Sequence, residues 1–357
     1  MRQHAENGVG NQTTTECDGT DNANNINAAV KNILVTGGAG FIGGWFIRHM
    51  LKTYGNDYEI ICLDSLEYCA SFKNFSQVEH LPNFHFIKGD ISDQQHVERI
   101  LKDYHVDAII HLAAESHVDH SFKDPLAFTA INILGTHCLL ETCRKYDSIK
   151  RFVYVSTDEV YGPNETELFP FTEEHPLKPT NPYAATKAAA EMIIHSYRKS
   201  FQMPTIVTRC NNVFGPYQYP EKLISKFIIL QQKGGKIPIQ GDGRNIRAFI
   251  FAADVAEALD TIFHKGADGE TYNISSDTHL QVLQVAEKIF QHIAGQNTSD
   301  SLTSWVENIE DRPYNDSMYW TDGSKLEALG WKQRTNFDEG LAETVRWHMN
   351  EGHGFWQ

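Results

Sequence analysis

A chain of 357 residues is long enough for one large domain or two modest ones, and a hydrophobic content of 41% excludes wholesale disorder. Asp and Glu number 46 against 31 Lys and Arg, which gives a formal net charge of -15. Phosphate backbones and anionic membranes repel such a chain, so nucleic acid and membrane are not expected as partners; a small anionic ligand would need a local cluster of Arg and Lys.

Residues 1–30 are rich in Asn, Thr and Gly and nearly free of large hydrophobes. They cannot bury enough apolar surface to offset the entropy of ordering, and a flexible tail is expected. Asn11-Gln12-Thr13 fits a glycosylation sequon, read here as a chance match.

From residue 31 the texture changes. "NILVTG", "EIICLD", "FHFIKGD", "AIIHLAA", "RFVYVST" and "PTIVTR" are apolar runs of strand length. Helix-like segments at 41–54, 94–103, 131–146 and 186–201 lie between them. Continuous apolar strands alternating with amphipathic helices predict an α/β fold, a Rossmann-type doubly wound parallel sheet covered on both faces. Beyond about residue 212 the pattern loosens, with Pro216, Pro220, Pro238 and more Gly. A smaller mixed α/β lobe is expected there, interleaved with the sheet domain of residues 31–211.

The six cysteines, Cys17, Cys62, Cys69, Cys138, Cys143 and Cys210, form no C-x-x-C pair. No His cluster has metal-ligand spacing, so no metal is expected. Scattered cysteines, no secretory leader and no apolar stretch long enough to cross a bilayer predict a soluble cytoplasmic chain.

Gly37, Gly40, Phe41, Ile42 and Gly43 follow the first strand and open the first helix. Small residues in such a turn let the backbone approach a pyrophosphate, which then sits on the helix N-terminus. Gly also serves plain turns, but Asp64 and Ser65 end the second strand about 20 residues on, where an acid bonds an adenosine ribose. An anion there repels a ribose phosphate, so NAD is expected rather than NADP. Asp90 and Ile91 follow the third strand and either border the adenine or make a turn. Leu112, Ala113 and Ala114 follow the fourth, small enough for a cofactor to lie against the backbone.

Tyr183 and Lys187 stand at i and i+4 on a helix, so phenol and ammonium share a face. A Lys cation beside the phenol would lower its pKa and make it a usable acid or base, and Lys187 is also placed to hold the nicotinamide ribose. The plain alternative is two ordinary surface side chains.

With these motifs the chain resembles the extended short-chain dehydrogenase/reductase family. "HLAAESHVDHSF", "VSTDEVYG", "NPYAATKAAAE", "GPYQYPEKLISKFI" and "DRPYND" narrow the resemblance to the nucleoside-diphosphate-glucose 4,6-dehydratases, over nearly the whole chain from residue 31. The resemblance implies a lyase that oxidises C4 of an NDP-glucose, expels water across C5–C6 and returns hydride to C6. Tyr183 matches the base on the 4-hydroxyl, Thr157 its hydrogen-bonding partner, Glu159 the base at C5 and Asp158 the acid at C6. Crowding two adjacent acids in a closed pocket raises at least one pKa, which keeps a proton available at neutral pH. The plain alternative is that both acids cap a helix or face solvent.

Ser116 is placed to bond a sugar hydroxyl, and Asn212, Lys222, Leu223, Arg247, Arg312 and Asn315 match family positions that contact the sugar diphosphate or nucleotide; the plain alternative for Lys222 and Arg312 is a solvated surface charge. A homodimer built by the helices at 131–146 and 186–201 is a further implication. "EYCAS" and "RPYND" depart from the "TYAGN" and "DRPGHD" of bacterial dTDP-glucose enzymes, which leaves thymine or uracil open. The rival readings are a 4-epimerase or decarboxylase of the same superfamily, neither of which needs Asp158, and a non-catalytic regulator, which needs no acid/base pair.

Overall fold

The computed structural model describes residues 30–164, 169–294 and 302–356. Most of the expected tail, and the sequon at Asn11, lie outside the described residues. Val30 is only 1% exposed, so the packed chain already includes the last residue read as tail.

Strand β1 (Asn32–Thr36), helix α1 (Phe41–Tyr54) and β2 (Glu59–Asp64) make the first βαβ unit. Then come β3 (Phe84–Lys88), α2 (Gln94–Asp103), β4 (Ala108–His111) and the short helix α3 (Val118–Lys123). A helical run, α4 (Pro125–Tyr146), leads to β5 (Arg151–Thr157). Helix α5 (Pro182–Phe201) then leads to β6 (Thr205–Cys210). The second half contributes β7 (Asn212–Phe214), α6 (Leu223–Gln232), β8 (Ile237–Gln240), β9 (Ile246–Phe251) and α7 (Ala252–Lys265). It closes with β10 (Thr271–Ile274), β11 (His279–Gln281), α8 (Val282–Ala294), β12 (Val306–Ile309) and α9 (Phe337–Trp347).

The main sheet has seven strands in the order β3-β2-β1-β4-β5-β6-β10, every neighbouring pair parallel. The winding direction reverses between β1 and β4. A crevice opens there beyond the carboxyl ends of the strands, and ligands bind such sheets at that point. The strands read as unbroken apolar runs because both faces are covered: all seven residues of β5 are buried. One apolar cluster holds Ile33, Val35, Phe46 and Ile110, and another holds Leu34, Ile109, Leu139 and Tyr154. A third, with Phe214, Phe227, Phe249 and Phe337, belongs to the second half of the chain. Its strands form a β11-β9-β7 sheet and a β8-β12 pair. Strand β10 nevertheless returns to the main sheet, so the two parts interleave.

Two helix expectations change. Helix α5 begins at Pro182, not 186, because Asn181 caps it: its side-chain oxygen accepts from Ala184 N at 2.8 Å, and Pro182 supplies the first turn. Helix α4 begins at Pro125 rather than 131, with Asp124 accepting from Ala127 N at 3.2 Å. Residues Thr129–Gly135 of α4 are π-helical. The buried Asn132 in that segment donates to Glu115 O at 3.0 Å and to the Thr186 hydroxyl at 2.9 Å, which ties the chain after β4 to α5. At 22 residues, α4 is also apolar and long enough by composition to cross a membrane, contrary to the sequence expectation. Its Leu139, Leu140 and Cys143 are core residues packed beneath the sheet, which accounts for its apolar character.

Near the crevice, Arg209 of β6 and Glu191 of α5 form a buried pair at 2.7 Å, with side chains 7% and 4% exposed. Arg209 also donates to the Tyr161 hydroxyl at 2.7 Å. Removing one partner strands a buried charge. We therefore expect Arg209→Met to cost about 3–5 kcal/mol in equilibrium urea unfolding, and the Arg209→Met/Glu191→Leu double variant to recover most of that loss.

Candidate active site

The crevice is a cavity of about 370 Å³ that runs from the glycine-rich turn to the end of β5. Gly37, Gly40, Phe41, Ile42 and Gly43 line one end. Gly37 has φ +69°, and a Cβ on it would stand 2.5 Å from Ala113 N; one on Gly43 would stand 2.5 Å from Gly37 O. Only glycine fits either place, and the turn stays flat enough for a ligand to reach the N-terminus of α1. Asp64, Ser65, Asp90, Ile91, Leu112, Ala113 and Ala114 lie on the same walls. Asp64 accepts from Ala39 N at 2.9 Å and Leu66 N at 2.8 Å, which locks its carboxylate against the turn. Asp90 also accepts from Ser92 N at 2.8 Å, so the turn role is present together with the cavity position.

Thr157, Asp158, Glu159, Tyr183 and Lys187 line the other end. Strand β5 stops at Thr157, and a single 3₁₀ turn, Asp158–Tyr161, carries the two acids into the cavity wall. Asp158 is 2% exposed. Burial, then the neighbouring Glu159 charge, push its pKa up to about 7, against hydrogen bonds from Asn211 and Thr157. Glu159 is also raised, by burial, while Asn181 and the charges of Arg247 and Arg312 pull the other way. The Thr157 hydroxyl donates to Asp158 Oδ1 at 3.1 Å, and its presence near the Tyr183 phenol works against the burial that raises the phenol's pKa. Thr157 and Asp158 are thus directly bonded, with the Tyr183 phenol near them.

Lys187 differs from expectation. Its ammonium donates to Val155 O at 2.7 Å and sits 4.2 Å from the Tyr154 ring centroid, not on the phenol. Burial pushes its pKa down to about 7, with Glu191 opposing. The Tyr183 pKa is raised, not lowered: burial leads, followed by the charges of Glu159 and Asp158. Sharing a helix face placed the two side chains together, but the nearest strong acceptor for a buried ammonium is the β5 carbonyl.

Ser116, Asn212, Lys222 and Leu223 are on the cavity wall, and Lys222 Nζ donates to Ser116 O at 2.8 Å. Asn212 Oδ1 and Ser156 Oγ are buried there without a protein hydrogen-bond partner. Arg247, Arg312 and Asn315, expected to contact the substrate, are not among the residues that line the cavity. Arg247 donates to Asp316 O and Asn315 Oδ1, both at 2.9 Å, and Arg312 lies 3.8 Å from Asp119.

Two positioning residues escaped the sequence reading. Asn211 donates to Asp158 Oδ2 at 2.8 Å while its own oxygen accepts from Ser276 N at 2.8 Å. Asn181 donates to Glu159 Oε2 at 2.9 Å while capping α5. The N-P dipeptide before α5 signals a cap, but nothing in its spacing points to Glu159.

Because Asp158 holds its proton more tightly in the folded chain than the ordinary value of 3.8 allows, its burial costs nothing at low pH and progressively more as pH rises towards 7. Asp158→Asn removes that cost. Its melting temperature relative to wild type should rise by a few °C between pH 4 and pH 8 in parallel thermal scans.

The sequence profile of the GDP-mannose 4,6 dehydratase family matches residues 34–344. A trifunctional UDP-glucose 4,6-dehydratase/UDP-4-keto-6-deoxy-D-glucose 3,5-epimerase/UDP-4-keto-L-rhamnose-reductase of Arabidopsis thaliana is 45% identical over 89% of this chain and 47% of its own length. The chain thus spans about half the length of this plant relative. The dTDP-D-glucose 4,6-dehydratase of Mus musculus is 43% identical over 91% of this chain and 90% of its own. A crystal structure of dTDP-glucose 4,6-dehydratase from Streptomyces venezuelae with NAD bound superposes with a TM-score of 0.84 at 38% identity, covering 90% of this chain and 98% of that one. By the extent of the profile match, the chain belongs to the GDP-mannose 4,6 dehydratase family.

Proposed function

We propose that the chain is an NAD-dependent nucleoside-diphosphate-glucose 4,6-dehydratase that converts dTDP-glucose or UDP-glucose to the 4-keto-6-deoxy sugar. The observation that carries this reading is Asp158: a carboxyl only 2% exposed, its pKa pushed up to about 7, hydrogen-bonded to Thr157 and standing next to a second acid. An epimerase or decarboxylase has no water to expel and no work for such an acid.

The residues present fit NAD. The glycine cradle that a Cβ would fill suits a pyrophosphate, Asp64 and Ser65 suit the adenosine ribose, and Asp90 and Ile91 suit the adenine. Leu112, Ala113 and Ala114 leave room against the backbone, and Lys187 would hold the nicotinamide ribose. When bound, NAD supplies the two-electron acceptor for C4 oxidation and the donor for reduction at C6.

Tyr183, as its phenolate, takes the proton of the 4-hydroxyl, with Thr157 bonded to the same oxygen. The C4 ketone acidifies the C5–H bond, and Glu159 removes that proton. Asp158 gives its proton to the C6 hydroxyl, which leaves as water. A neutral Asp158 also removes one of the two carboxylate charges that hold the Tyr183 pKa up. Ser116, Asn212, Lys222 and Leu223 contact the sugar diphosphate, with Lys222 as its cation and the unpartnered Asn212 oxygen as an acceptor. Arg247, Arg312 and Asn315, outside the cavity lining, are left to the nucleotide end of the substrate.

Leu126, Leu134 and Met192 are 77%, 56% and 57% exposed on α4 and α5, an apolar face that supports a homodimer through those helices. The five described cysteines are all free, which supports a reducing, cytoplasmic setting.

In single-turnover reactions with dTDP-glucose and UDP-glucose, Asp158→Asn should still accumulate reduced nicotinamide but lose water about 10²–10⁴-fold more slowly. Normal dehydration by the variant removes the acid from Asp158. In the wild type, water loss should slow as pH rises through about 7, since the acid must carry its proton. The faster of the two nucleotide sugars identifies the base. Leu134→Glu/Met192→Glu should convert a dimer to a monomer by light scattering.

A further inference from the structure

Outside the acid/base machinery stand His117, His120 and Glu221, of which Glu221 also lines the cavity. Their ligating atoms all lie within 4.8 Å of one another, and no other such trio of His, Cys, Asp or Glu occurs among the described residues. His117 precedes α3 and His120 lies inside it, which brings the imidazoles together with ring centroids 4.4 Å apart. Glu221 comes from another part of the chain, next to the Lys222 that caps α6, and its Oε2 is 3.9 Å from His117 Nε2. The Tyr68 hydroxyl donates to Glu221 Oε1 at 3.1 Å and is 3.4 Å from His120 Nδ1. It orients the carboxylate and reaches the second imidazole.

We infer that His117, His120 and Glu221 form a site for a divalent transition-metal ion of the zinc type. Two imidazoles and one carboxylate are a donor set suited to zinc, and three protein ligands leave a fourth position for water. Zinc ligands at about 2.0–2.2 Å in a tetrahedron stand about 3.4 Å apart, so the His117–Glu221 pair has about 0.5 Å to close. All three side chains are half-buried, neither locked in the core nor loose in solvent. The charges around the trio are mixed: Glu115 lies within electrostatic reach of Glu67 and Glu221, and Asp119 attracts a cation at His117. Lys222 outweighs Asp119 there and Lys226 adds to it, so the donor set itself, with Glu221 as its anion, must carry the binding. A bound ion ties the segment after β4 to the loop before α6, next to Ser116 and Lys222 of the cavity wall. Occupancy therefore slows turnover.

The test reads binding first, with no substrate present, so it stands or falls separately from the dehydratase reading. Chelator-stripped full-length protein is titrated with zinc chloride by calorimetry, alongside His120→Asn, His117→Asn and the exposed-surface control His80→Asn. The wild type and His80→Asn should bind one equivalent saturably, and either site variant should bind at least tenfold more weakly while melting normally in chelator. Zinc should slow the wild type and spare His120→Asn, whose turnover in chelator matches wild type. No saturable binding by the wild type, or equal affinity or equal inhibition in the His120→Asn variant, overturns the site.

Discussion

Everything at the chemical end depends on holding a buried Asp158 beside a partly buried Glu159 without a cation bonded to either. Strand β5 delivers Asp158 and Glu159 to the crevice, and neutral amides, Asn211 and Asn181, hold them at 2.8 and 2.9 Å. A guanidinium in either place would fix the acids in their ionised form. Amides satisfy the oxygens and leave the proton free to move. The nearby arginines are kept at a remove: Arg209 is spent on Glu191, and Arg247 on backbone oxygens and Asn315.

The same constraint explains the crowding of polar groups at one end of an otherwise apolar sheet. Between the buried Arg151, which bonds Phe263 O and Asp268, and Ser156, the β5 side chains are apolar apart from the Tyr154 hydroxyl. The chemistry is thus placed where the strand ladder ends and backbone geometry is free to turn. At the opposite end of the cavity, glycines achieve the converse by removing side chains so that backbone dipoles face a ligand.

Much of this was legible in the chain. Apolar runs located the strands because a doubly covered parallel sheet needs no polar alternation, and the glycine turn, Asp64 and the acid pair carry their chemistry in their own residue types. What escaped depends on partners distant in sequence. Asn211 and Asn181 act by contacts across 53 and 22 positions that no local pattern encodes. Lys187 faced two acceptors on adjacent elements, and helical periodicity names only the one on its own helix. Helix α4 starts early because Asp124 caps it and Pro125 fits its first turn, a start signal that lies upstream of the apolar stretch at 131–146.

Asn181 carries a lesson for anyone redesigning this chain. Serine, threonine, aspartate and asparagine all cap helices well, so the position looks interchangeable. Here its oxygen starts the helix that bears Tyr183 and Lys187 while its nitrogen grips Glu159. Aspartate would cap equally well but would set a third anion against the acid pair, whereas a hydroxyl is too short to span both partners. Helix nucleation and proton chemistry thus share a single amide, and neither can be tuned without the other.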